Sequence, residues 1–293
     1  MAEVLNMSEL FDPELVEDLF NQVRGKSSLA TLCKQTPIAF VGNKVMVFSM
    51  DKEVALVGEG EERGHGGVTV APVKIVPLEI EYGARISSRF MTASEEEQLD
   101  MLEAFNEGFS AKVARGIDIM AFHGVNPRTG EASPLITQYF DKIDQTVDYD
   151  AAAPDTCVDD AVALIGDFDA SGIAMAKTFA SALGKIRNSS GGKEYPGLSW
   201  GGNPKEVNGV ASSVNSTVSF GSSKDMAIVG DFANCVKWGY AKDVKLEIIP
   251  YGDPDNTGKD LAGHGQVYLR GTAYVGWGIL VEDAFARVVK EGA

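Results

Sequence analysis

The residues able to do chemistry are few, and their spacing suits little of it. The run GDPDNTGKD, residues 252–260, imitates a phosphate-binding loop. It holds one residue too many between Gly252 and Gly258, and Asp260 stands where a Ser or Thr should meet magnesium. The same run imitates a calcium loop through Asp253, Asp255 and Gly258, but position twelve is His264, not Glu. DFDASG, residues 167–172, starts in the same way, with Thr178 where the bidentate Glu belongs. Helix caps and turns account for these readings more simply.

None of His65, His123 and His264 is followed two to four residues later by a second ligand, so a zinc site is not expected. His123 falls at a helix end, where a cation is favoured anyway. Cys33, Cys157 and Cys235 are far apart, with no CxxC, so neither a disulfide framework nor a zinc knuckle follows. There is no nucleophile elbow, dinucleotide fingerprint or HExxH. Acid pairs such as Asp159-Asp160 read as solvated charge. The expectation is therefore no catalytic residue, no cofactor, no cofactor-binding residue and no metal ligand.

The organisation of the chain says more than its reactive residues. Asp12-Pro13-Glu14 is a helix start, with Asp as cap and Pro in the first turn. Leu10, Phe11, Leu15, Val16, Leu19 and Phe20 then form one apolar stripe, and Gly25 ends it. Alternation in IAFVGNKVMVFSM, residues 38–50, predicts a strand. GEGEERGHGG, residues 58–67, is too polar and glycine-rich to order alone, and extended chain returns over residues 68–91. Pro72 and Pro77 belong at sheet edges or bends. The whole reads as a long hairpin with an acidic tip.

Residues 92–123 are the most regular stretch. Ser94 and Glu97 have capping-box spacing. Leu99, Leu102, Phe105, Phe109, Val113, Ile117 and Met120 recur at helical spacing, and Gly124 stops the run. From about residue 155 to 250 the pattern is α/β, with CVDDAVALIGDFDASG and IAMAKTFASALGKI read as helical and Asp169–Gly172 as a turn and cap between them. Residues 188–220 read as loop with short strands, 226–230 and 244–249 as strands, and 265–289 as strongly β.

Composition bounds the function class. The 293 residues are 44% hydrophobic and 23% charged, enough for a sizeable core. A net charge of −16 argues against gripping nucleic acid through phosphates, but suits a container that encloses it. No apolar run approaches a membrane span, and the acidic N-terminus lacks the pattern of a signal peptide.

That order of elements resembles the Hong Kong ninety-seven type of tailed-phage major capsid protein. SSLATLCKQTPIAFVGNKVMVFSM, from Ser27, resembles the end of the arm and the first strand of that family's extended loop. EVALVGEGEERGHGG resembles the loop tip, and VPLEIEYGARISSRFM the return strand, although Arg89 stands before Phe90 where an acid is usual. ARGIDIMAFHGVNPRTG resembles the end of the spine helix. VGDFANCVKWGYAKDVKLEI and AYVGWGILVEDAFARV resemble the axial strand and the final peripheral strand.

The resemblance implies an α+β fold of five parts. These are an N-terminal arm, 1–37; an extended loop, 38–82, with a mobile tip at 58–67; a peripheral domain, 83–150, with spine helix 95–123; an axial domain, 151–252; and return strands, 253–293. It implies self-assembly into hexamers and pentamers of an icosahedral shell around double-stranded DNA, bound without sequence specificity. A separate scaffolding protein, or a scaffolding domain already removed, is implied by the short arm. A portal and a decoration protein are the other implied partners, and the place is the virion, after assembly in the host cytoplasm. Lys52 lies near the loop where some relatives crosslink, but no matching Asn or acid is found, so no crosslink is expected. The expected assembly contacts are Leu15, Leu19, Phe20, Glu59, Glu61, Glu62 and Arg63. Two other readings are an encapsulin-like nanocompartment on the same fold and an α/β enzyme with a loop-built site.

Overall fold

The computed structural model describes residues 27–290, apart from 51, 53, 55, 58, 61–63 and 93–94. The N-terminal stripe of Leu15, Leu19 and Phe20 therefore lies outside the described residues, as do Ser94, Glu61, Glu62 and Arg63.

Ser27 opens a short helix α1 (Ser28–Leu32), its hydroxyl accepting from the Ala30 amide. The alternating apolar chain then forms β1 (Asn43–Met50) and β2 (Val68–Ile75), followed by β3 (Leu78–Ser87). The regular heptad-like stretch becomes α2 (Glu95–His123), 29 residues and so about 44 Å long. After it come β4 (Thr146–Asp148), α3 (Pro154–Leu164), β5 (Gly172–Met175) and α4 (Lys177–Leu183). Then follow β6 (Glu206–Val207), β7 (Val210–Val214), β8 (Asp225–Gly230), β9 (Val236–Ile249), β10 (Gln266–Ile279) and β11 (Phe285–Val289).

Three sheets result. β1 and β2 pair only with each other, antiparallel, from Asn43 opposite Ile75 to Met50 opposite Val68. β3, β10 and β9 make an antiparallel sheet in that order. The six-stranded sheet runs β4-β11-β8-β5-β7-β6 and is mixed: β4 lies parallel to β11 and β5 parallel to β7, while the other neighbours are antiparallel. The chain reaches β11 last, so its C-terminal strand closes a sheet begun much earlier.

Helix α2 joins the two larger sheets. Along it, Leu102, Phe109, Val113, Ile117 and Met120 are buried, as the helical spacing predicts. Phe109 packs so closely on β10 that a Cβ on Gly271 would collide with its ring. The last third, Ile117 to His123, is buried on every side. Gly124 ends the helix with a φ of +68°, its amide donating to the Met120 carbonyl. Beyond it, Phe122, Phe140, Phe232 and Phe285 form one aromatic cluster with successive centroids 5.1–5.6 Å apart. Truncating such a ring to Ala typically costs about 3–5 kcal/mol.

One expected element is different. IAMAKTFASALGKI, read as helical throughout, begins as strand β5, and only Lys177–Leu183 is helix. All four residues of β5 are buried in the middle of the six-stranded sheet. A short apolar run buried on both faces shows no period of two, and so looks the same as buried helix.

Candidate assembly surfaces and the knots that hold them

The β1–β2 hairpin carries the largest group of exposed apolar side chains in the described residues. Register pairs Met46 with Pro72, Phe48 with Val70 and Met50 with Val68. Because side chains alternate across a strand, these six share one face. Phe48 is 68% exposed and Met50 77%. Val54 and Leu56, in the chain beyond β1, are almost wholly exposed. The base is anchored by Ile75, which is buried against Gly278 and Gly276 of β10. A two-stranded ribbon is marginal alone, and apolar patches of this kind mark contact surfaces. Glu59 sits exposed in a turn at the tip, and Lys52 reaches the His65 carbonyl at 3.5 Å across the ribbon.

The body beneath the ribbon is tied by three polar knots. The first is Asp118, wholly buried in the middle of α2. Its carboxylate accepts from the Ser27 hydroxyl, the amides of Ser28 (2.9 Å) and Leu29 (3.1 Å), the Asn215 amide nitrogen (3.1 Å) and the Thr217 hydroxyl (2.8 Å). One side chain thus caps α1 and fastens both α1 and the 215–217 turn to the spine helix. Burial raises the Asp118 pKa, against the opposite pull of these hydrogen bonds.

The second knot lies at the end of the same helix. His123 Nε2 is 2.7 Å from the Thr217 carbonyl and must carry a hydrogen there, while Nδ1 is 3.0 Å from Asp141 Oδ2. Asp225, at the start of β8, is 1% exposed. Its Oδ1 accepts from Arg287 Nη1 of β11 at 3.0 Å, and Arg287 Nε donates to the Ile143 carbonyl at 3.0 Å. Burial and the neighbouring Asp141 push the Asp225 pKa up to about 8. Burial also opposes charge on His123, but the Asp141 hydrogen bond outweighs it and raises the imidazole pKa. Sequence spacing could not show this group, because Asp141, Asp225 and Arg287 lie 18, 102 and 164 positions from His123 and meet near it only through the fold.

The third knot explains the imitation calcium loop. Arg85 of β3 reaches into residues 253–259, where its Nη2 lies 2.5–2.9 Å from oxygens of Asp253, Asp255, Thr257 and the Lys259 carbonyl, which share its two hydrogens. Arg85 Nε also meets Asp255 Oδ2 at 2.9 Å. Those acids hold a guanidinium, and the Arg85 hydrogen bond draws the Asp255 pKa down to about 2. The other candidates stay apart: His264 bonds only the Asp260 carbonyl nearby, and Cys33, Cys157 and Cys235 are buried free thiols.

The sequence matches the phage capsid family over residues 9–290. No curated protein matches it. A solved structure from Mycobacterium phage Ogopogo is similar with a TM-score of 0.78 and 28% identity, covering 90% of this chain and 92% of its own. One from Gordonia phage Cozz gives 0.74 at 22% identity, over 91% and 87% of the two chains. The capsid of an empty GTA particle, computed with C5 symmetry, shares the fold at 0.66 and 14% identity, over 91% and 90%. The fold is the α+β capsid fold of the Hong Kong ninety-seven type, and the phage shell is favoured over the nanocompartment and enzyme readings. A match that spans nearly the whole chain, on a body whose described residues leave an apolar ribbon exposed, leads to one conclusion: this chain belongs to the phage capsid family, a major capsid protein that assembles with itself into the shell of the virion.

Proposed function

We propose that the β1–β2 hairpin is the extended loop of the capsid subunit and lies on a neighbouring copy in hexamers and pentamers of an icosahedral shell. The observation that carries this is its exposed face of Met46, Phe48, Met50, Val68, Val70 and Pro72, which the described residues of its own subunit leave uncovered. Glu59, with Glu61, Glu62 and Arg63, supplies polar contacts at the tip, and Leu15, Leu19 and Phe20 supply an apolar contact from the arm. Residues 83–150 with α2 form the peripheral domain, residues 151–252 meet their copies around the symmetry axes, and residues 253–293 return to the periphery. Such rings use heterologous, head-to-tail contacts.

The subunit works with a separate scaffolding protein and a portal, and its shell is open to a decoration protein. Assembly takes place in the host cytoplasm, and the shell holds double-stranded DNA without reading its sequence. The net charge of −16 supports a wall that encloses DNA and does not grip it. The role is structural, with no catalytic step.

Electron microscopy of the purified full chain tests the arrangement. Closed shells with six- and five-fold capsomers, and the ribbon lying across a subunit boundary, are the expected result. Isolated two-fold dimers, or a ribbon folded back on its own subunit, would overturn it.

A further inference from the structure

We propose that His123, Asp141 and Asp225 form a binding site for a divalent transition-metal ion of the zinc class, held by Nδ1 of His123 and one oxygen of each carboxylate. One nitrogen or oxygen ligand atom from each residue lies within 4.8 Å of the others. Neighbouring ligands on a tetrahedral zinc ion are about 3.4 Å apart, so side-chain shifts of at most about 1.4 Å close the set. Two carboxylates and an imidazole are a donor set suited to such ions.

The surroundings already orient these groups as outer partners orient metal ligands. The Thr217 carbonyl takes the Nε2 hydrogen of His123 at 2.7 Å, which in neutral imidazole leaves the Nδ1 lone pair free to bind. Arg287 holds Oδ1 of Asp225 at 3.0 Å and is itself held by the Ile143 carbonyl. Oδ2 of Asp225 is then left buried, with no partner except a proton shared with Asp141. Asp141 Oδ1 is buried too, its nearest cation being Arg287 Nη1 at 3.6 Å, so an ion would stand where that shared proton does. An orphaned carboxylate oxygen in the interior is costly unless something positive meets it. A bound ion would satisfy both oxygens at once while Arg287 keeps its hold on Oδ1. Asp141 keeps about a quarter of its side chain in solvent (26%), which gives an ion a way in past it.

Such an ion would tie the end of α2 to β8 and to the turn at Phe140–Lys142. This inference does not depend on how the subunits are arranged in the shell. It also departs from the sequence reading, in which His123 stands alone.

The test is zinc uptake by the full chain, first stripped with EDTA and dialysed. Calorimetry and elemental analysis should give one zinc per chain, with a raised melting temperature. X-ray absorption at the zinc edge should show one imidazole and otherwise oxygen ligands. Asp141→Asn and Asp225→Asn should each weaken binding by more than about tenfold, since even the loss of an outer partner costs that much at metal sites. Asp141 is partly exposed, so Asp141→Asn tests the site if Asp225→Asn fails to fold. Magnesium, which prefers all-oxygen octahedral shells, should not compete. No stoichiometric zinc in the wild-type chain, sulfur ligands from the cysteines, or equal uptake by a folded Asp141→Asn variant would each overturn the proposal.

Discussion

Nε2 of His123 donates to the backbone carbonyl of Thr217 at 2.7 Å, across 94 positions of sequence. The hydroxyl of the same threonine donates to Asp118 at 2.8 Å. Thr217 therefore bonds the spine helix twice, and through Asp118 the helix α1 is gathered into the same joint. Helix α2, helix α1 and the 215–217 turn are held as one body.

Asp118→Ala should therefore be strongly destabilising. It leaves buried donors from Ser27, Ser28, Leu29, Asn215 and Thr217 without their acceptor. Unsatisfied buried groups cost about 1–3 kcal/mol each, and a total of about 3 kcal/mol or more is expected in urea unfolding of the unassembled subunit. Asp118→Asn keeps one acceptor oxygen and should cost less. A loss below about 0.5 kcal/mol, the size of an ordinary surface change, would show that the joint is redundant.

The Arg85 knot gives a dependence on pH. Asp255 is held below its ordinary value of 3.8, at about 2, chiefly by its Arg85 hydrogen bond. A carboxylate depressed in this way stabilises the fold above 3.8, and that contribution fades as pH falls through about 2. Hydrogen exchange in residues 252–264 should accelerate, relative to β9 and β10, as pH falls from 4 towards 2. Arg85→Ala should already show the accelerated pattern at pH 5, once intrinsic exchange is corrected for. Unchanged protection in that variant would remove the knot from the loop's stability.

Much of this was legible because it is local. The helix Glu95–His123 and the hairpin strands follow from period and turn residues in consecutive sequence. Strand β5 was not legible, since Gly172–Met175 is an apolar run too short to show a period. Nor were the knots, because a lone His123 or Asp118 acquires its partners only when distant strands meet. Arg85 turned an apparent metal loop into an ion-pair clamp for the same reason.

The arm should matter to assembly and not to the body. Leu15→Ser with Leu19→Ser breaks the apolar stripe of the segment proposed to contact another subunit. The variant subunit should keep the wild-type melting temperature and yield fewer shells. Equal loss of helical signal and melting temperature in the unassembled subunit would make the stripe part of its own core.

The tip should be separable from the ribbon. Replacing residues 59–66 by a two-residue turn removes Glu59, Glu61, Glu62 and Arg63 and keeps β1 and β2. Ordering such a glycine-rich segment costs about 1–2 kcal/mol per residue, a cost offset only when it is laid down on a partner. The deletion should leave a soluble, folded subunit that no longer builds shells of normal size. Wild-type-like shells in negative stain would reduce the tip to solvated loop.

The central claim is that the subunit builds a shell by burying the open face of its hairpin, and Phe48 with Val70 is the middle of that face. Mass photometry of the full chain, beside Phe48→Ser with Val70→Ser, tests it most directly. The wild-type chain should give megadalton particles, and the double variant a folded subunit or small ring with an unchanged circular dichroism spectrum. Only monomers or dimers from the wild-type chain at any concentration, or megadalton particles of normal mass from the variant, would contradict the account.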